Sequence, residues 1–113
     1  MKQERRGLRF LFDARAEVAP EGSPSKTVVA RVTELSLNGC FIQTSAPFAV
    51  DALVLVKIFH EGAYFEAKAR VAHVQAASGM GVMFRDIKPY CQSVLQKWIL
   101  SAMRSQTSES EMP

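Results

Sequence analysis

The amino-acid sequence predicts an all-β fold, a six-stranded antiparallel β-barrel with one C-terminal α-helix. Six short segments alternate apolar with polar residues, and turn residues separate them at close spacing. After Pro89 the apolar residues recur at three- and four-residue spacings instead. Because closure removes exposed sheet edges, short antiparallel strands of this kind favour a barrel. The length of 113 residues supports one core and therefore one domain.

The predicted strands contain many β-branched residues and end at turn signals. The run from Pro20 to Ser25 closes the first strand, and Glu61-Gly62 joins the fourth and fifth strands as a long hairpin. Asp86 is expected to follow the sixth strand and to cap the helix. The six predicted strands span residues 10–18, 27–33, 39–44, 53–59, 64–75 and 81–84.

An amphipathic helix is predicted to close the domain. Pro89 suits its first turn, where a missing amide donor costs little, and Trp98 is expected to pack on the barrel. The polar residues 105–113 predict a disordered tail, and the basic residues 1–9 predict a flexible arm. The barrel with its helix is therefore assigned to residues 10–104.

Composition and residue types exclude several classes of protein. With 48% hydrophobic and 22% charged residues, no apolar run long enough to cross a bilayer and no secretory signal, the chain is expected to be a cytoplasmic globular domain. Cys40 and Cys91 are expected to be buried and unpaired. His60 and His73 lack zinc-ligand spacing, and Ser36 lacks both a nucleophile elbow and a histidine base. We therefore expect no metal, no cofactor and no catalytic activity.

A cluster of arginines precedes the first strand. Arg5 and Arg9 have an Arg-x-x-x-Arg spacing, with Arg6 between them. A guanidinium group presents a planar fork of donors that pairs with phosphate oxygens or with the O6 and N7 edge of guanine. Because the net charge is only +3, this local cluster favours a phosphate-bearing partner over a duplex nucleic acid. Basic residues near a terminus also suit a solvated tail.

A polar loop is predicted between the second and third strands. Ser36 offers a hydroxyl, Glu34 offers a carboxylate that can accept from the ring N–H and amino group of guanine, and Gly39 is free of side-chain bulk. The same string also suits an ordinary turn in which serine and asparagine side chains cap the backbone.

Taken together and in this order, these residues resemble the PilZ family. The family pattern is an Arg-x-x-x-Arg arm, an Asp-or-Asn-x-Ser-x-x-Gly loop, a Gly-x-Gly-Val-x-Phe-like strand, here residues 79–84, and a C-terminal helix. The resemblance covers roughly residues 4–103. It implies a split β-barrel that binds the bacterial second messenger cyclic di-GMP between the arm and the barrel surface, without catalysis.

The resemblance also implies a role for each residue of the two motifs. Arg5 and Arg9 would grip guanine and phosphate with help from Arg6. Glu34 and Ser36 would hydrogen-bond the base, and Gly39 would let the loop approach. His73 lies on the fifth strand, where family members often carry a large residue near the ligand, so it either stacks on a guanine or is a histidine at the rim of the site.

Glu34 departs from the family pattern, which has Asp or Asn at this position. The extra methylene could weaken or abolish binding. Alternatively, Glu34 could pair with Arg5 or Arg9 in the free protein and keep the arm in place until the ligand displaces it. One alternative is therefore a degenerate PilZ domain that binds no nucleotide and acts as a protein-protein adaptor. Another alternative is a single-stranded nucleic-acid binder, which needs exposed aromatic residues.

The sequence offers few such aromatic residues, since Phe41, Phe59, Tyr64 and Phe65 lie mostly in positions expected to be buried. The expected partners are therefore cyclic di-GMP and an unidentified protein, with no DNA, RNA or membrane insertion.

Overall fold

The computed structural model describes residues 9–111, with side chains through Gln106, and this part of the chain forms six β-strands and one long helix. A 3-10 turn, Pro24–Lys26, lies between the first two strands. The elements are β1 (Phe10–Pro20), β2 (Val28–Leu35), β3 (Gly39–Gln43), β4 (Leu53–His60), β5 (Ala63–Gln75), β6 (Gly79–Ile87) and α1 (Pro89–Glu111).

The six strands close into a barrel in the order β1-β2-β3-β6-β5-β4, and all neighbouring strands are antiparallel. The pairing of β1 with β4 completes the ring. The predicted six-stranded antiparallel barrel with one C-terminal helix is therefore confirmed. The β4–β5 hairpin is also present, and its turn places Glu61 at φ 50° and Gly62 at φ 81°. A two-residue turn with both φ values positive matches the right-handed twist of the flanking strands.

Alternating residues of every strand fill the inside of the barrel. Val32, Ile42 and Phe65 have no exposed surface, and neither has Val56. The Trp98 ring on α1 covers one end of this core, with its centre 6.2 Å from that of Phe65, as predicted from the apolar stripe of the helix.

The two cysteines, Cys40 and Cys91, are buried and unpaired, as predicted. Burial raises the pKa of the Cys40 thiol to about 12, because desolvation disfavours the thiolate. Cys40 is therefore an inert part of the core.

The sixth strand is longer than the sequence predicts. It runs over Gly79–Ile87 because the long β5 continues to pair with it, Lys68 opposite Asp86 and Ala67 opposite Ile87. Asp86 therefore lies within a strand and is not the cap of the helix.

The helix also extends past residue 104, where the sequence places the end of the domain. The sequence predicts a disordered tail over 105–113, whereas α1 continues to Glu111. Gln106 gives the physical reason, because its side-chain amide accepts from the backbone N–H of Leu11 at 3.2 Å and donates to the Leu11 carbonyl at 3.1 Å. This contact ties the end of the helix to β1. Within residues 9–111, no helix is both long and apolar enough to span a membrane.

Candidate ligand-binding site

A groove of about 590 Å³ lies on the outer surface of the barrel, across β3, β6 and β5. Small residues form its floor. Gly39 and Gly81 lie at outward-facing positions of β3 and β6, and Ala72 lies on β5. The groove is lined by Arg9, Ser36, Asn38, Gly39, Cys40, Ala72, His73, Gly81, Val82 and Met83.

The β2–β3 loop forms one wall of the groove, and the Ser36 hydroxyl holds it together. Ser36 is 6% exposed. Its Oγ accepts from the amides of Asn38 at 3.2 Å and Gly39 at 3.1 Å, and it donates to the Gly39 carbonyl at 3.2 Å. The hydroxyl hydrogen is thus used inside the loop. Ser36 therefore shapes the turn, which is the second of the two roles that its sequence context allows.

Gly39 lets this loop approach the neighbouring strand. A Cβ atom at this position would lie 2.0 Å from the backbone oxygen of Val82 on β6, so no other residue fits without moving the backbone. The Phe84 amide also donates to the Asn38 carbonyl at 2.8 Å. The glycine that the motif demands therefore fixes the loop against β6, and it leaves the groove floor free of side chains.

Arg9, which lines the groove, forms an ion pair with Glu34. Arg9 Nη1 lies 3.1 Å from Glu34 Oε1, and the two side chains are 52% and 40% exposed. Of the two arginine pairings that the sequence analysis raised for Glu34, the structure contains the one with Arg9. An ion pair this exposed contributes about 0–1 kcal/mol, because water screens the attraction.

His73 lies on the opposite wall, over Gly81. A Cβ atom on Gly81 would be 2.2 Å from His73 Cε1, so the imidazole occupies space that only a glycine leaves open. The exposed ring lies beside Phe41, with the ring centres 6.2 Å apart and the planes inclined by 28°. Phe41 is half-buried on the outer face, not inside the barrel as the sequence suggests. These two rings offer a flat surface on which a base can stack.

The structure therefore brings most of the predicted site residues together. Arg9, Ser36, Gly39 and His73 line one groove, and Glu34 joins it through its pair with Arg9. The predicted contributions of Arg5 and Arg6 lie outside the described residues.

Several lining residues, among them Gly81 and Met83, have no ligand-binding role in the sequence-based prediction, and neither has Phe41, which lies beside His73. The Gly79-Met80-Gly81 string is the signal that could have identified Gly81, because a glycine within a strand often marks a close approach. Nothing in the sequence alone places Phe41 beside His73.

The described part of the chain contains no cluster of His, Cys, Asp and Glu side chains that could hold a metal ion. The groove combines the guanidinium of Arg9, a floor of small residues and the exposed imidazole of His73, which suits binding of a phosphate-bearing, aromatic ligand.

The structure is a small closed β-barrel with one C-terminal helix and a groove on its outer surface. The PilZ domain family matches residues 3–101, and the chain belongs to this family. PilZ domains are non-catalytic receptor domains, in agreement with the prediction that the chain is not an enzyme. Binding of cyclic di-GMP is typical of the family.

Two solved structures share the fold. One is the PilZ domain of CeSA from a cellulose-synthesizing bacterium, with a TM-score of 0.65 and 18% identity over 83% of this chain and 96% of that chain. The other is the Bacillus subtilis inhibitor of motility MotI/DgrA, with a TM-score of 0.70 and 14% identity over 89% of this chain. The match spans 50% of that second chain. No curated protein matches the sequence.

Proposed function

We propose that this domain is a receptor for cyclic di-GMP, which binds in the groove between the N-terminal arm and the barrel. The observation that carries the proposal is the convergence of Arg9, the Ser36–Gly39 turn and His73 on one groove. Family membership supports the same ligand, since cyclic di-GMP binding is typical of PilZ domains. We also propose that the domain acts in the cytoplasm and passes the signal to a protein partner.

In this proposal Arg9 leaves Glu34 and pairs with a phosphate or guanine of the ligand. Arg5 and Arg6 add further guanidinium contacts, as the family resemblance implies. Glu34, once free, can accept from the N–H groups of a guanine. His73 stacks on a base, and Phe41 supports its ring from the side.

Ser36 and Gly39 act mainly through the shape of the loop. Because the Ser36 hydroxyl already bonds within the turn, its contribution is to hold the loop in position beside the ligand.

The second candidate function is a degenerate PilZ domain that works as a protein-protein adaptor. The Arg9–Glu34 pair favours this reading, because it occupies a guanidinium that a ligand would need. The two functions differ in one measurable property, since only the receptor binds the nucleotide.

Isothermal titration calorimetry of the full chain with cyclic di-GMP tests the proposal. We expect micromolar or tighter binding that is lost in Arg9→Ala and strengthened in Glu34→Asp, which restores a residue type of the family pattern. Arg31→Ala is the matched control, because Arg31 is 54% exposed and pairs with Asp13 away from the groove.

The outcomes separate the candidates. Loss of binding in Arg9→Ala but not in Arg31→Ala supports the receptor and locates its site. If the wild-type chain shows no heat of binding with cyclic di-GMP but Glu34→Asp binds it, the domain is the degenerate PilZ domain of the second candidate function. No binding by either chain refutes the proposed groove.

A further inference from the structure

We propose that Arg70 is a second phosphate-binding residue of the groove, and that Asp51 holds its guanidinium while the groove is empty. The inference rests on the proposed function and deepens it, because it assigns one phosphate of the cyclic dinucleotide to a residue outside both PilZ motifs. Arg70 lies at the middle of β5, on the outer surface of the barrel.

The strand register places Arg70 at the edge of the groove. Arg70 is the cross-strand partner of Met83 on β6, and Met83 is the partner of Gly39 on β3. Met83 and Gly39 both line the groove. Arg70 Nη2 lies 4.0 Å from Met83 Sδ, so a single thioether side chain separates this guanidinium from the groove.

Asp51 holds Arg70 weakly. Arg70 Nη1 donates to Asp51 Oδ1 at 2.9 Å, and the two side chains are 41% and 75% exposed. The Asp51 amide donates to the Val71 carbonyl at 2.8 Å, which fixes the carboxylate beside β5. Because water screens such a pair, a phosphate can replace Asp51 as the partner of Arg70. The thioether of Met83 is unbranched and flexible, so it can give way to the arginine.

Two ion pairs of the same kind therefore flank the groove. At one end Glu34 holds Arg9, and on the β5 side Asp51 holds Arg70. A cyclic dinucleotide carries two phosphodiester groups on opposite sides of its ring, so one arginine cannot serve both of them. Arg70 supplies positive charge on the β5 side of the groove, where Asp51 would otherwise repel the ligand.

The test compares the wild-type chain with Arg70→Gln, Asp51→Asn and Arg85→Gln. Arg85→Gln is the matched control, because Arg85 is a 38% exposed arginine on β6 that pairs with Glu21 and does not line the groove. Asn at position 51 keeps the shape of the side chain and tolerates the φ of +73° found there. Affinity for cyclic di-GMP is measured by calorimetry, and affinity for GMP by competition against labelled cyclic di-GMP.

We expect Arg70→Gln to weaken cyclic di-GMP binding about tenfold or more, the effect of losing one charge-assisted contact. Because GMP has a single phosphate, which Arg9 binds, its affinity should stay within about twofold of the wild-type value. Asp51→Asn frees Arg70 and should tighten binding of cyclic di-GMP several-fold, whereas Arg85→Gln should leave it unchanged. Thermal unfolding of each variant verifies that the barrel is intact.

Each contrary outcome has its own meaning. Wild-type affinity in Arg70→Gln overturns the role of Arg70 and leaves the receptor function standing. If Arg70→Gln lowers the affinity for GMP as much as that for cyclic di-GMP, or if Arg85→Gln lowers the affinity for cyclic di-GMP equally, the assignment of Arg70 to a second phosphate is overturned. Absence of cyclic di-GMP binding by the wild-type chain refutes the proposed function and this inference together.

Discussion

Replacing Gly39 by alanine is a direct test of how the β2–β3 loop is held. The new Cβ atom would lie 2.0 Å from the Val82 oxygen and 3.0 Å from the Val82 carbonyl carbon. Both atoms belong to the backbone of β6, and they cannot rotate away as a side chain can. Either β3 and β6 separate or the loop leaves the surface of β6.

The size of the effect follows from the severity of this clash. Overpacking a well-packed core costs about 1–3 kcal/mol, and a contact with backbone at this distance belongs at the upper end of that range. A loss of about 3 kcal/mol lowers the melting temperature of a domain of this size by roughly 10–20 °C. We therefore expect Gly39→Ala to be among the most destabilising substitutions in the barrel.

Alanine substitutions at two other glycines separate the possible causes of destabilisation, which are a steric clash and backbone strain. A Cβ on Gly81 meets the His73 ring, a side chain that can rotate, so Gly81→Ala should cost about 1 kcal/mol while displacing His73 from the groove. Gly22 has a φ of +82° and no atom within 4 Å of a Cβ, so Gly22→Ala measures conformational strain alone, about 1 kcal/mol.

Urea and thermal unfolding by circular dichroism measure all three variants, and cyclic di-GMP titration shows which of them affect the groove. If Gly39→Ala unfolds within about 0.5 kcal/mol of the wild type, the close approach of the loop to β6 is not what fixes it.

Three further predictions concern the loop, the helix and alkaline pH. Ser36→Ala removes the acceptor of two loop amides and should destabilise the domain by about 1–3 kcal/mol in urea unfolding, whereas an unchanged midpoint would contradict its role in the turn. Gln106→Ala should speed hydrogen exchange at the Leu11 amide with a stability loss of only about 1 kcal/mol, and unchanged exchange would show that the helix does not hold β1. Burial raises the pKa of Cys40 from 9.0 to about 12, so the native state binds this proton more tightly than the unfolded chain does. The stabilisation that the protonated Cys40 thiol contributes is complete below pH 9 and falls as the pH rises towards 12. Urea unfolding from pH 8 to 12 should therefore show the free energy of unfolding falling more steeply with pH in the wild type than in Cys40→Ala.

The barrel could be predicted from the sequence because its signals are local. Alternation along a strand and the Glu61-Gly62 turn depend on neighbouring residues alone. The ends of β6 and α1 could not be predicted in the same way. Asp86 is in a strand because β5 is long enough to pair with it, and α1 is anchored at Gln106 by a residue 95 positions earlier. Both extensions depend on tertiary contacts.

The candidate site could also be predicted only as far as its signals are local in the sequence. The motifs placed Ser36 and Gly39 on a loop between strands, but they could not show that the serine hydroxyl bonds inside the loop or that the glycine touches β6. The exposed pair of Phe41 and His73 joins strands that are distant in sequence, and it forms only because β6 brings Gly81 between them. Motif spacing identifies which residues form a site, whereas register determines what each of them does.

Whether Glu34 tunes or abolishes binding depends on which partner Arg9 prefers. Its exposed pair with Glu34 contributes about 1 kcal/mol at most, while a hydrogen bond to a charged phosphate contributes about 1.5–3 kcal/mol. Displacing Glu34 therefore lowers the affinity by about fivefold at most, since 1.4 kcal/mol corresponds to a factor of ten. A cost of that size weakens a receptor but does not convert it into an adaptor. Loss of binding would require a second defect, such as a glutamate that cannot reach the guanine edge, and Glu34→Gln separates the two: it removes the competing charge but keeps the length of the side chain.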